Sequence, residues 1–189
     1  MELGRLLETG RQIRVVGFDD GPGGLEVPVA GAVCAETVLE GLVWGSLTRD
    51  GLDATDVLAG LLVGGKYLPQ LHLVLTDGVT MGGLNVLDLA ELHAQLGVPC
   101  VAVMRRMPDL DRFHRALERV DDGTRRARVA AAGPLHPWEH GVFQVVGEEP
   151  TVVARVLPRL TLRGRVPECL RLAHLITGAV ATGESGKRA

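Results

Sequence analysis

The chain has 189 residues, 46% hydrophobic and 23% charged, with a formal net charge of −3 and a mean hydropathy of +0.19. That balance excludes a disordered chain, and no apolar run approaches the ~20 residues that a membrane-spanning helix requires. The length fits one domain, able to bury roughly two thirds of its unfolded surface without disulfides or a structural metal.

Aromatic residues make up 3%, so the core is expected to be Leu, Val and Ala, and base stacking is not expected to dominate nucleic-acid binding. Cys34, Cys100 and Cys169 form no Cys-x-x-Cys pair, which favours a reducing cytoplasm. The N-terminal MELGRLLETGRQIR lacks a basic region followed by a long apolar core, so no signal peptide is expected and the location expected is cytoplasmic. Charge is unevenly distributed. Residues 1–96 carry 5 basic and 13 acidic groups (−8), and residues 97–189 carry 15 and 10 (+5). Fourteen of those 15 cations are arginine, whose planar fork matches phosphate, although solvated helix faces account for such a run equally well.

Residues 13–18 read as a buried first strand that runs into Asp19-Asp20-Gly21-Pro22. Val27–Ala35 and Thr37–Thr48 read as two further strands in antiparallel hairpins with it. A helix is predicted from Asp53, with Ala54, Leu58, Leu61 and Leu62 as its apolar stripe. Leu71–Thr76 is a fourth strand ended by Asp77-Gly78, and Val86–Leu96 is a helix closed by Gly97. Pro99–Met104 is a fifth strand ending at Arg105-Arg106, followed by a charged surface helix over Pro108–Val120 with Leu110, Phe113 and Leu117 inward. Residues 121–140 are heavily punctuated and receive no element, and Val142–Val146 is expected to be a short edge strand. Helices are predicted over Pro150–Leu160 and Pro167–Val180. Three adjacent strands followed by strand–helix–strand–helix make an α/β mixed sheet with helices on both faces, a ribonuclease-H-like arrangement.

Ligands in open α/β sheets gather at the carboxyl ends of strands, where Asp19 and Asp77 are expected. Should those strands be neighbours, two carboxylates a few ångströms apart call for a cation, and oxygen ligands with waters suit Mg²⁺ or Mn²⁺. An Asp before Gly also serves commonly as a turn residue alone. Gly82, Gly83 and Asn85 precede a helix, where backbone N–H groups can approach a phosphate, although a plain Gly-Gly turn is the commoner use. Arg105 and Arg106 are placed to neutralise a phosphate or to sit solvated. His174, one turn after Arg171 among Leu172, Leu175 and Ile176, reads by itself as a packed histidine.

The stretches VGFDDGP (16–22), GLDAT (51–55), TDGVT (76–80), GLNVLD (83–88), VMRRMPD (103–109) and the tail GES (183–185) resemble the little-characterised DUF99 (UPF0215) family. The resemblance runs from about residue 13 to the C-terminus. It implies similarity to endonuclease V, a metal-dependent nuclease with the ribonuclease-H-like fold, and a link to cutting DNA near deoxyuridine. It further implies one endonuclease V-like domain over residues 1–189, with a core of about 12–181. By this resemblance Asp19 and Asp77 take the places of the metal aspartates. The run VPECLRLAH (166–174) places His174 at the metal and Arg171 toward substrate. Asp53, or second Asp56, stands by chain order for that family's glutamate, and Arg105 or Arg106 for its catalytic lysine. The implied activity is a divalent-metal-dependent endonuclease acting on deaminated nucleic acid. The alternatives on the same residues are a non-catalytic nucleic-acid or nucleotide-binding protein and a hydrolase of a small phosphate ester. Oligomeric state is left open.

Overall fold

A computed structural model describes residues 2–120 and 123–186; Met1, residues 121–122 and residues 187–189, all within the expected domain bounds, lie outside the described residues. A seven-stranded sheet forms the centre. Its first three strands, β1 (Arg14–Asp20), β2 (Glu26–Ala35) and β3 (Val38–Thr48), are antiparallel neighbours joined by hairpins, as their sequence order predicted. β1 then pairs in parallel with β4 (Leu73–Asp77), and β4 with the later strand Cys100–Met104.

Between these two strands, Thr80–Met81 (β5) and Asn85–Val86 (β6) form a separate small hairpin, so Cys100–Met104 is β7. The last two strands are β8 (His136–Trp138) and β9 (Gly141–Val146), which give a sheet order of β3-β2-β1-β4-β7-β9-β8. Residues 142–146 therefore do not form the edge. β9 is paired on both sides, and the edge is β8, drawn from the stretch whose prolines had concealed it.

Side-chain alternation splits the core in two. Val16, Phe18, Val74 and Ala102 face α2 (Ala54–Gly60) and α3 (Leu89–Leu96). Val15, Leu73, Leu75 and Val101 face the opposite way, onto three helices that bury apolar stripes there. These are α1 (Leu3–Glu8), through Leu3 and Leu6, a helix over Pro150–Arg159, and a last helix over Glu168–Thr182. The short α4 (Leu110–Leu117) and α5 (Thr124–Ala131) lie between β7 and β8, so the last two helices are α6 and α7.

Three further expectations change. Leu110 is exposed rather than inward, because α4 buries Leu117 and leaves its first turn at the lip of a groove. Val86 belongs to the β5–β6 hairpin, and α3 starts only at Leu89, where the Asp88 side chain accepts the Glu91 N–H. The first helix, Leu3–Glu8, was not expected, since a six-residue helix carries too little periodicity to announce itself.

α7 seats unusually close to the sheet. A Cβ at Gly17 would lie 2.7 Å from Cys169 Sγ and from the Leu170 backbone nitrogen. Ala30 and Ala32 on β2 meet Ala173 in the same way. We expect Gly17→Ala to destabilise the fold by about 1–3 kcal/mol, the usual range for overpacking against backbone. Gly24→Ala, with nothing within 4 Å of its Cβ, should stay within about 0.5 kcal/mol of the parent in urea unfolding.

Candidate active site

The strand register decides the position of the two aspartates. In the parallel pair β1–β4, Val15 lies beside Leu73, Gly17 beside Leu75 and Phe18 beside Thr76. One step further sets Asp19 beside Asp77, on strands about 4.8 Å apart and with both side chains on the α7 face. Asp19 is buried and Asp77 half-buried. Burial, and after it the charge of Asp77, pushes the Asp19 carboxyl up to about 7 against the pull of His174. Burial likewise pushes Asp77 up, opposed by Arg105 and His174.

His174 reaches this pair because α7 is pressed onto β1. Its Nδ1 lies 2.8 Å from Asp19 Oδ2. Arg105, two residues beyond Val103 and just past the end of β7, places Nη2 3.5 Å from Asp77 Oδ2. Arg106 is exposed on the same connection. Asp19, Asp77, His174 and Arg105, far apart in sequence, thus converge on one end of the sheet.

The remaining sequence candidates lie in different arrangements. Asp53 precedes α2 and accepts hydrogen bonds from the Thr48 N–H and hydroxyl and from Asn85 Nδ2, the last at 2.6 Å. Burial works to raise the Asp53 carboxyl, but those donors together outweigh it and hold the group below its ordinary value. Asn85 is fully buried, and its amide also donates to Thr48 O and accepts from the Ala54 N–H. The two residues form a latch between β3, α2 and β6. Arg171 is paired by two hydrogen bonds with the buried carboxylate of Glu168, with Nε 2.8 Å from Oε2.

Gly82 and Gly83 form the tip of the β5–β6 hairpin, both with positive φ. The Gly82 N–H donates to Asp20 Oδ2 at 3.1 Å, and the N–H of Leu84, two residues on, donates to Asp50 Oδ1 at 2.7 Å. Carboxylates of the chain itself thus occupy the donors that a phosphate would use. Asp20 had read only as a turn residue. Alternation along β1 points it away from Asp19 and toward the hairpin, and this is the signal that could have separated the two. Burial raises its carboxyl, opposed by the Gly82 N–H and increased by the charge of Asp77.

Arg125 is a second residue that sequence reading passed over. It is 7% exposed, and its guanidinium donates to the carbonyls of Leu84, Val120, Asp50 and Gly51, tying α5 to the same hairpin.

A groove of about 620 Å³ begins at Gly78, the residue after Asp77, although none of Asp19, Asp77, Arg105 and His174 lines it. Gly78, Val79 and Met104 line it from the strand ends, Leu110 and Phe113 from α4, and Leu135 from the far wall. It is mostly apolar, roughly the size class of small-molecule sites.

The donor set favours a hard divalent cation over a soft one. Two carboxylates stand close together in a desolvated corner, no cysteine is grouped with them among the described residues, and one imidazole is already turned to a carboxylate. Among the described residues no three His, Cys, Asp or Glu side chains are grouped as a metal cage. Such sparse protein ligation suits Mg²⁺, which keeps several waters and takes up substrate phosphate oxygens. The residues present fit the ion on these terms.

Among the described residues no helix is long and apolar enough to cross a membrane. Comparison with known proteins gives a consistent assignment. Residues 11–181 match the family model described as endonuclease dU. A UPF0215 protein of Methanopyrus kandleri is 39% identical over 196 residues, covering 98% of this chain and all of the relative. A crystal structure of a protein of unknown function from Archaeoglobus fulgidus aligns with a TM-score of 0.86 at 30% identity, covering 89% of this chain and 98% of that one. Endonuclease V of Ciona intestinalis, solved with a 24mer DNA containing an inosine followed by a ribo-adenosine, aligns with a TM-score of 0.59 at 12% identity, covering 92% and 88%. At that identity the likeness is one of fold, the ribonuclease-H-like fold expected from the strand order. On its sequence and on the fold that carries these aspartates, the chain belongs to the endonuclease dU family.

Proposed function

We propose that this protein is a divalent-metal-dependent endonuclease that hydrolyses a phosphodiester bond in deaminated nucleic acid, at or near deoxyuridine. The observation that carries this reading is the pairing of Asp19 and Asp77 on adjacent parallel strand ends, with His174 and Arg105 beside them and an apolar groove alongside. The family assignment and the DNA bound to the Ciona endonuclease V support nucleic acid as the substrate class.

Asp19 and Asp77 would hold Mg²⁺ or Mn²⁺. When bound, the ion supplies a water of lowered pKa and a counter-charge for the phosphate. Asp19 also orients His174 through Nδ1, which leaves Nε2 free to hold or pass a proton at the attacking water. Arg105 places a fixed positive charge beside Asp77, where the phosphate's non-bridging oxygens would lie. Arg106, exposed on the same connection, is available to the flanking backbone. The groove beside Gly78 receives a base turned out of the strand. Its apolar walls, with Phe113, exclude water and offer a ring to pack against. Asp53, Asn85, Gly82 and Gly83 act in this reading as supports that fix the hairpin bordering the site, and Arg171 as a brace of α7.

End-labelled oligonucleotides carrying one deoxyuridine or one deoxyinosine, incubated with Mg²⁺ or Mn²⁺, test the assignment. Discrete cuts near the deoxyuridine are the expected result. Asp77→Asn should lower the cleavage rate by on the order of 10²–10³-fold, the scale on which one preorganised electrostatic contact is felt, with its melting temperature not reduced. Full cleavage by that variant would overturn the role assigned to Asp77. Phe113→Ala should weaken the preference for a deoxyuridine-containing strand over an unmodified one by about ten-fold or more, with the fold unchanged by circular dichroism.

A pH dependence follows from Asp19. Its folded pKa, about 7, lies above the ordinary carboxylate value, so its contribution to stability is fully present below the ordinary value and is lost as pH rises through about 7. In EDTA the melting temperature should therefore fall between pH 5 and pH 8, as far as this group governs it. Millimolar Mg²⁺ should restore it selectively at the upper end. A melting temperature that is flat with pH, and unmoved by Mg²⁺ at pH 8, would contradict the cation site.

A further inference from the structure

β3 is the outer strand of the sheet and is bare on one side chain face. Its register with β2 places Leu42 opposite Ala32 and Trp44 opposite Ala30, with Leu39 opposite Cys34 beyond a bulge. These three side chains share the face on which α7 lies, but α7 sits over β1 and β2, with Leu172 and Ile176 packed on Ala30, Ala32 and Ala173. Beyond that flank the β3 stripe is open. Leu39, Leu42 and Trp44 are 43, 47 and 45% exposed, and Val38, opposite Ala35 on the other face, is 63% exposed. The strand is eleven residues long, its outer hydrogen-bonding edge is unpaired, and Glu40 is its only charged residue. Long apolar edges of this kind are normally interrupted by charge or proline, or are covered, because an uncovered one pairs with whatever strand it meets.

We propose that a second copy of this chain covers this edge, with the two β3 strands pairing antiparallel about a twofold axis near Val43 to form one continuous sheet through both subunits. Pairing about that axis sets Leu42 of one copy opposite Trp44 of the other, Gly41 opposite Gly45, and Glu40 opposite Ser46. Cross-strand apolar pairs then meet on the exposed face, and no two glutamates oppose each other.

Charge favours a like copy over a phosphate-bearing partner. Of the glutamates around the stripe, Glu40 pairs with Arg14 at 2.8 Å, Glu36 with Arg159 and Glu168 with Arg171, while Glu26 accepts from the Ser46 hydroxyl beside Trp44. Those three arginines are engaged rather than offered to a nucleic-acid backbone, and the Glu26 carboxylate beside Trp44 disfavours a phosphate-bearing partner further. In area, the four exposed apolar side chains and the backbone edge amount to roughly half or more of the ~800 Å² per partner that a standard stable interface buries, and the α7 flank supplies the remainder. The inference does not rest on the nuclease reading.

Sedimentation or light scattering of the full chain, from about 1 to about 100 µM, where an interface of ordinary affinity is populated, is expected to give twice the 20.1 kDa chain mass. Trp44→Asp should return the mass to that of one chain while keeping the parent's far-ultraviolet circular dichroism. A second measurement addresses the register and does not need a disruptive variant. Leu42→Cys mixed with Trp44→Cys should form a disulfide-linked dimer under mild oxidation, because opposed residues lie about 4.5–5.5 Å apart between Cα atoms. Either variant alone should not, and the native cysteines are all buried. A wild-type monomer across the whole range would overturn the proposal. So would a dimer mass unaffected by Trp44→Asp, or a dimer whose mixed cysteines fail to cross-link. A monomer whose Trp44 fluorescence is quenched by a single-stranded oligonucleotide would assign this face to substrate instead.

Discussion

The close approach of α7 to β1 at Gly17 is the contact on which the site depends. With no side chain at Gly17 and only alanines at positions 30 and 32, the helix backbone comes down onto the strand. A little over one turn of helix later, His174 meets Asp19, and most of a turn beyond that Thr177 packs over Gly21. A helix standing off by one more methyl layer would leave the imidazole short of the carboxylate. Packing that reads as ordinary core thus sets a hydrogen bond of 2.8 Å at the end of the sheet where Asp19 and Asp77 meet.

That end of the sheet collects charge that the fold by itself does not favour. Two desolvated carboxylates face each other across one strand spacing, and a third, Asp20, lies within their field on the opposite face. Burial is the first cause of their raised pKa values, and the charge of Asp77 adds to it at Asp19 and Asp20; a cation at this corner would relieve both effects. The chain offsets part of it with Arg105 and His174 and leaves the rest unrelieved, as expected where a site binds charge during its work.

A second layer of polar contacts holds the border of the site. Asp50 and Asp20 take the N–H groups around the Gly82–Gly83 tip, the Asp53–Asn85 latch joins β6 to α2, and Arg125 gathers four carbonyls from three segments. Several of these residue types are ones that sequence inspection assigns readily to ligands. Here their capacity is spent on one another, which fixes the loop beside Asp77 with bonds that are mostly half-buried.

By itself the sequence determined the local elements and their order: three hairpin-linked strands, two Asp-Gly or Asp-Asp-Gly strand ends, and the helix that carries His174. It did so because periodicity and turn chemistry are local properties, written within ten or so residues of each other. It also exposed Asp19, Asp77 and Arg105 as strand-end residues. The elements within residues 121–140 stayed hidden, because α5 is held by the long-range Arg125 contacts and β8 by its pairing with β9. Only the tertiary structure decided that β1 and β4 are parallel neighbours in a register that sets Asp19 beside Asp77. It also decided which acidic residues gather with His174 at one end of the sheet and which are spent as latches, as Asp53 is. Those outcomes depend on pairings across 30 to 155 residues of chain, and no local signal encodes which donor a carboxylate will meet there.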